Sequence, residues 1–169
     1  MATHKILYAA KASVTKTLIS LASSGTFIAG RELGSIDNAT NLYDDILLGG
    51  VIRVGTTPTI NTQILVYAFA PRELDTPTWP DQMTGADAAR SVTSVGVGQG
   101  FLRLAAVLAV DSTTSNRDYA FGGVALAALF GGTLPKKIGL YVSHNTVAAL
   151  NATEAQHLLD YTGVNYTIN

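Results

Sequence analysis

The sequence predicts an all-β protein, an antiparallel jelly-roll sandwich of about eight strands. Three observations carry that expectation. Residues 63–70 read as a strand with no polar face: Ile64, Val66, Ala68 and Ala70 fall on one side, Leu65, Tyr67 and Phe69 on the other. Residues 101–110 repeat the pattern with one charge, Arg103. A sheet wetted on one side alternates apolar and polar residues, so a run apolar on both sides has to be covered twice. The remaining strand-like segments are short and separated by Gly, Pro and Asn turns, with no alternation of strands and helices. No repeat of fixed period occurs in the 169 residues, a length that suits one domain.

In chain order, residues 1–13 mix apolar residues with Lys5 and Lys11 and show no period, which reads as an N-terminal arm ahead of a single sandwich domain at 14–169. Residues 17–21 read as a strand and 23–25 as a turn. One or two short strands fit 26–36. The Asp37–Asn41 cluster is a turn, because Asp and Asn bond to nearby backbone groups. Residues 42–54 read as one long strand with a bulge or bend at Gly49-Gly50, or as a hairpin turning there. A turn at 55–58 leads to the apolar strand at 62–70. Residues 71–100 form a long loop, since Pro71, Pro77 and Pro80 oppose ladder pairing. Within it, 85–90 suggests a helical turn and 95–100 a flexible glycine-rich stretch. After the strand at 101–110 come a turn at 111–116 and brief pairing near 119–121. Residues 124–130 are ambiguous, since Ala and Leu favour helix. A strand at 137–143, a helical turn near 154–159 and a last strand at 161–168 complete the chain.

Composition narrows the function classes. Asp, Glu, Lys and Arg make up 14% of residues, against about 25% in a typical soluble domain. Apolar residues reach an ordinary 47%, so Thr, Ser, Asn and Gly have replaced the missing charge. Such a surface repels itself weakly and suits broad protein contact. The formal net charge is -1, with no basic stripe or acidic tail, so neither nucleic acid nor a membrane is an expected partner. The absence of cysteine removes disulfides, thiolate catalysis and sulfur-rich metal sites. No apolar run approaches the ~20 residues of a bilayer span, and the first residues lack a signal-peptide core.

The chemistry of catalysis is sparse, and neither an enzyme nor a cofactor is expected. His4, His144 and His157 are not spaced as a zinc helix motif, and no serine sits in a nucleophile elbow. Gly96, Gly98 and Gly100 resemble a phosphate loop only loosely, without its Lys or following helix. Asp44 and Asp45 point to opposite faces of a strand, so they do not chelate one ion as a pair. With Asp37 nearby, an oxygen-ligand calcium site is the one metal candidate. Trp79, held between Pro77 and Pro80, has three readings: an exposed interface anchor, a platform for a sugar, or a lid over the chain's own core.

Asp37–Asp45, Gly55–Thr59 and Leu129–Lys137, with the Thr76–Pro80 loop between them, resemble segments of structural proteins of tailed bacteriophages. The resemblance extends from about residue 15 onward and carries no catalytic residue. It implies a virion component assembled in the host cytoplasm, a jelly-roll decoration or cement protein of the capsid shell. A tail or baseplate position, or a carbohydrate-binding module, is the alternative. The expected partners are further copies of the chain, as a trimer or dimer, and the major capsid protein or other virion proteins. Lys5, Ile6, Leu7 and Tyr8 of the arm, and Pro77, Trp79 and Pro80 of the loop, are the expected interface residues. The second cover of the apolar strands is expected to be another protein.

Overall fold

Four nested antiparallel pairings define the architecture, which is a computed structural model describing residues 4–72 and 76–168. The first three residues of the expected arm, residues 73–75 of the expected loop, residue 169, and the side chains of His4 and Ile168 lie outside that description. Strands β1 (His4–Tyr8) and β2 (Ala12–Ser13) pair with β10 (Leu158–Ile168). Strand β3 (Ala29–Asp37) pairs with β9 (Lys137–His144), and β4 (Asp45–Arg53) with β8 (Asp118–Ala125). Strand β5 (Thr62–Phe69) pairs with β7 (Arg103–Val110). The chain is thus one long hairpin. It rolls up when β10 also pairs β4 and β5 also pairs β9, giving sheets of order β1-β10-β4-β8 and β3-β9-β5-β7. This is jelly-roll connectivity. A further strand, β6 (Ala88–Ser91), extends the second sheet beside β3.

Alternation along the strands aims one face of each sheet inward. Leu33, Ile46, Ile52, Ile64, Val66, Ile138, Leu140 and Val142 are fully buried there. Leu18 joins the same core from an irregular segment. Residues 17–21 are therefore not the strand their pattern suggested. The Glu154 carboxylate accepts the N–H groups of Leu18 and Ile19, so a side chain takes the place of a ladder partner. Strand β4 runs straight through Gly49-Gly50. The irregularity lies opposite, where Gly122 and Gly123 face one residue of β4 and Gly123 takes a φ of 67°. That conformation is open to glycine and marks a bulge on β8.

The two apolar strands are covered differently. The outer face of β5 is covered by the chain itself: Met83, Val92, Trp79, Phe101 and Leu102 of the 76–102 excursion pack on Phe69 and Tyr141. Fully burying such a ring stabilises by about 1.5–3 kcal/mol. Another protein is not needed here, which corrects the expectation for this strand. Strand β7 is the edge of its sheet, and its outward Leu104 and Val107 remain open to solvent, so it is covered once, not twice.

The excursion is more ordered than a loop. Residues 88–91 form β6 where a helical turn was expected, and 95–101 form a short helix where a flexible stretch was expected, its start capped by the Ser94 hydroxyl accepting from Val97 N–H. The excursion is pinned by Glu32, a fully buried carboxylate on β3. Glu32 accepts the backbone N–H groups of Thr84 and Gly85 and the Thr84 hydroxyl, and pairs with Arg90 Nε at 3.2 Å. A buried carboxylate is tolerated only when its oxygens are satisfied in this way.

Candidate functional site

Strand β10 is longer than its neighbour β4. The two pair only over Leu158–Val164, whereas β1 accompanies β10 from Val164 to Ile168. Beyond Val164 the sheet therefore narrows to a two-stranded ribbon of residues 4–8 and 164–168. The residues expected as an arm are a strand held by the chain's own β10.

The ribbon is apolar on both faces. Ile6, Leu7, Tyr8 and Tyr166 are 54, 50, 64 and 61% exposed. Ile6 lies opposite Tyr166, so these two share a face with Tyr8, while Leu7 lies on the other face opposite Asn165. Ala9 N–H donates to the Gly163 carbonyl at 2.8 Å, which sets the phase of the ladder. With that phase residues 5, 7 and 9 bond inward to β10, and the N–H and C=O groups of Ile6 and Tyr8 face the free edge. Asp44 braces the root of the ribbon by accepting Tyr166 N–H at 2.6 Å. Beside it Leu42, 74% exposed, holds a left-handed φ of 52°. That conformation closes the 38–41 helical turn, with Leu42 N–H donating to the Asn38 carbonyl at 3.0 Å.

A second apolar surface lies on the outer face of the other sheet. A cavity of about 380 Å³ opens between the 95–101 helix and β7, lined by Phe27, Tyr67, Val95, Leu102 and Leu104 among others. Burial pushes the Tyr67 hydroxyl above the usual tyrosine range. Trp79, by contrast, is half-buried. Its ring meets Phe69 edge-on at a centroid distance of 5.5 Å, and the indole lies so close to Gly85 that a Cβ there would sit 2.4 Å from it. Of the three readings of Trp79, the lid is the one its geometry fits. Pro77 and Pro80 are half-buried beside it.

The polar candidates serve as local caps. Asp37 accepts Ala39 N–H at 2.9 Å and faces Lys137 at 3.7 Å. Asp45 accepts the N–H groups of Ile46 and Ala127. With Asp44 on Tyr166, the three carboxylates are spent on separate backbone groups. Among the described residues no group of three or more His, Cys, Asp or Glu could hold a metal ion, so the calcium candidate is not assembled.

His144 is fully buried, its Nε2 donating to the Leu21 carbonyl at 2.9 Å and its Nδ1 2.9 Å from the Thr146 hydroxyl. Burial pushes its pKa below the ordinary histidine value. His157 is buried too, with Arg53 N–H donating to Nδ1 and Nε2 donating to the Asn151 carbonyl. Both imidazoles tie loops together.

Sequence reasoning singled out Ile6, Leu7 and Tyr8, which the structure leaves exposed, but not the equally exposed Tyr166 and Leu42. The alternation of 161–168 carried a signal for Tyr166, whereas Leu42 depends on its backbone conformation. No protein-family model and no curated protein matches the chain. No helix among the described residues is long and apolar enough to cross a membrane.

Proposed function

We propose that the protein is a structural subunit of a virus particle, a jelly-roll decoration or cement protein of a tailed-bacteriophage shell. The observation that carries this reading is the ribbon, which presents Ile6, Leu7, Tyr8 and Tyr166 to solvent on two faces. Exposed apolar patches of this kind mark interaction sites. The low charge of the chain, the jelly roll and the resemblance of its turn segments to phage structural proteins agree with it. Many modest apolar contacts, repeated by the symmetry of a particle, hold a shell together without one strong site. In this role the ribbon and the open Leu104–Val107 face of β7 are the contact surfaces.

Electron microscopy of purified particles carrying a tagged copy tests this. The tag is expected at regular positions on the shell, and Leu7→Asp with Tyr166→Ser is expected to release the protein while its unfolding transition persists. Absence of the protein from purified particles refutes the reading. A tag at the tail or baseplate selects that position instead. Retained binding to a glycan array, lost in Trp79→Ala, selects the carbohydrate-binding alternative.

A further inference from the structure

Among the described residues the jelly roll leaves four sheet edges, and three of them are blunted. The edge at β8 carries the Gly122-Gly123 bulge, β7 carries an extra residue at Ala105, and β6 is only four residues long. Bulges and short length are the usual protections against pairing with another chain. The fourth edge, β1, carries no bulge: its five residues include no proline or glycine and run without a register shift along β10. Its one lysine, Lys5, has its backbone turned inward, so the outward N–H and C=O groups belong to Ile6 and Tyr8 at the centre and end of the strand. Among the described residues, no side chain or backbone group outside the sheet bonds to them.

We propose that this edge pairs with β1 of a second copy, antiparallel about a two-fold axis at Ile6, joining the two β1-bearing sheets into one. The inference rests on the reading of the ribbon as a contact surface and names its occupant. A two-fold antiparallel register that opposes Ile6 with Ile6 also opposes residue 4 with Tyr8, and each of these is a pair whose backbone groups face the edge. Every outward N–H and C=O of β1 then finds a partner. The same register sets Lys5 opposite Leu7 of the other copy, so the two lysines do not face each other directly. Ile6, Tyr8 and Tyr166 of both copies meet on one face of the joined sheet.

The surface approaches the size such a contact needs. At roughly 200 Å² per large side chain, the exposures of Ile6, Leu7, Tyr8 and Tyr166 leave about 450 Å² of apolar surface on each copy. Two copies therefore offer up to about 900 Å², near the ~1,000 Å² at which specific interfaces begin. The dimer is accordingly weak and concentration-dependent, and it closes at two copies because the contact uses the same edge of both.

Sedimentation of the full chain over a concentration series tests this. The expected result is a monomer–dimer equilibrium that ends at the dimer. Ile6→Pro removes an outward N–H together with the Ile6 side chain and leaves the inward-bonded residues 5, 7 and 9 in place. It is expected to raise the dissociation constant by at least about ten-fold while the unfolding transition stays cooperative. Ile6→Lys, which places like charges at the axis, is expected to do the same and decides the matter should Ile6→Pro fail to fold. Wild-type protein that stays monomeric, grows into open-ended polymers, or dimerises as well with Lys at position 6 overturns the proposal. A monomer that is nonetheless found on particles would end this inference and leave the virion reading standing.

Discussion

Replacing Glu32 with Gln would test whether the chain covers its own second apolar face through one buried carboxylate. Gln has nearly the same shape, so no cavity is made. What changes is that an NH2 group replaces one oxygen where Thr84 N–H, Gly85 N–H, the Thr84 hydroxyl and Arg90 Nε–H all donate. At least one donor then loses its acceptor, and Arg90 loses its charge partner. Hydrogen bonds to a charged group are worth about 1.5–3 kcal/mol, and breaking a buried pair costs about 3–5 kcal/mol. Arg90 is partly exposed and can turn to water, which places the loss near the lower bound, about 3 kcal/mol. In a domain of this size that lowers the melting temperature by about 6–12 °C. Urea unfolding measures the loss, and hydrogen exchange locates it: amides at 83–92 should lose protection before those of β9. A change below about 1 kcal/mol, or uniform loss of protection, would show that the excursion is held by its apolar contacts and not by Glu32.

Three further outcomes are expected. An added Cβ meets nothing within 4 Å at Gly100 and only the Ser94 hydroxyl, in ordinary contact at 4.0 Å, at Gly96; both lie in a helix, so Gly96→Ala and Gly100→Ala should each raise stability by about 0.5–1 kcal/mol in urea. A fall in the midpoint would mean that the segment needs another conformation. The depressed pKa of buried His144 stabilises the fold fully above the unfolded histidine value of about 6.5, and that contribution is lost as pH falls from there through the folded value. Stability measured from pH 8 to 5 should therefore decline below about 6.5, and His144→Gln should flatten that part of the curve; an unchanged slope refutes the assignment. Asp45→Ala should cost about 1 kcal/mol by uncapping Ala127 and Ile46, whereas calcium or a chelator should leave the melting temperature of the wild type where it is.

Strand β5 was legible because its two-sided apolar pattern matches its burial on both faces. The identity of its cover was not, because Met83, Val92 and Phe101 are scattered through a Pro- and Gly-rich stretch with no period, and Glu32 is a lone charge in sequence. The same pattern in β7 misled, since neither Leu104 nor Val107 announces that the strand lies at an edge. Glycine content at 95–101 pointed to flexibility, but the Ser94 cap and the packing of Phe101 and Leu102 on the outer cluster outweigh propensity there. On the ribbon, residue types drew notice to Ile6, Leu7 and Tyr8, which are exposed, while Tyr166 depended on knowing that strands β1 and β10 run side by side. Only the pairing showed that the arm residues are strand.

The nesting of the strand pairs has a consequence for synthesis. Strand β10 leaves the ribosome after every partner it joins, yet among the described strands β1 and β2 pair with nothing else, and β4 has β8 alone for a neighbour until it arrives. Until it arrives, one half of the roll stands open with its inner residues wetted, so the nascent polypeptide should mature late and slowly, as folds dominated by distant pairings do. Production at lower temperature, or with chaperones that shield unfinished chains, should then raise the yield of correctly folded molecules.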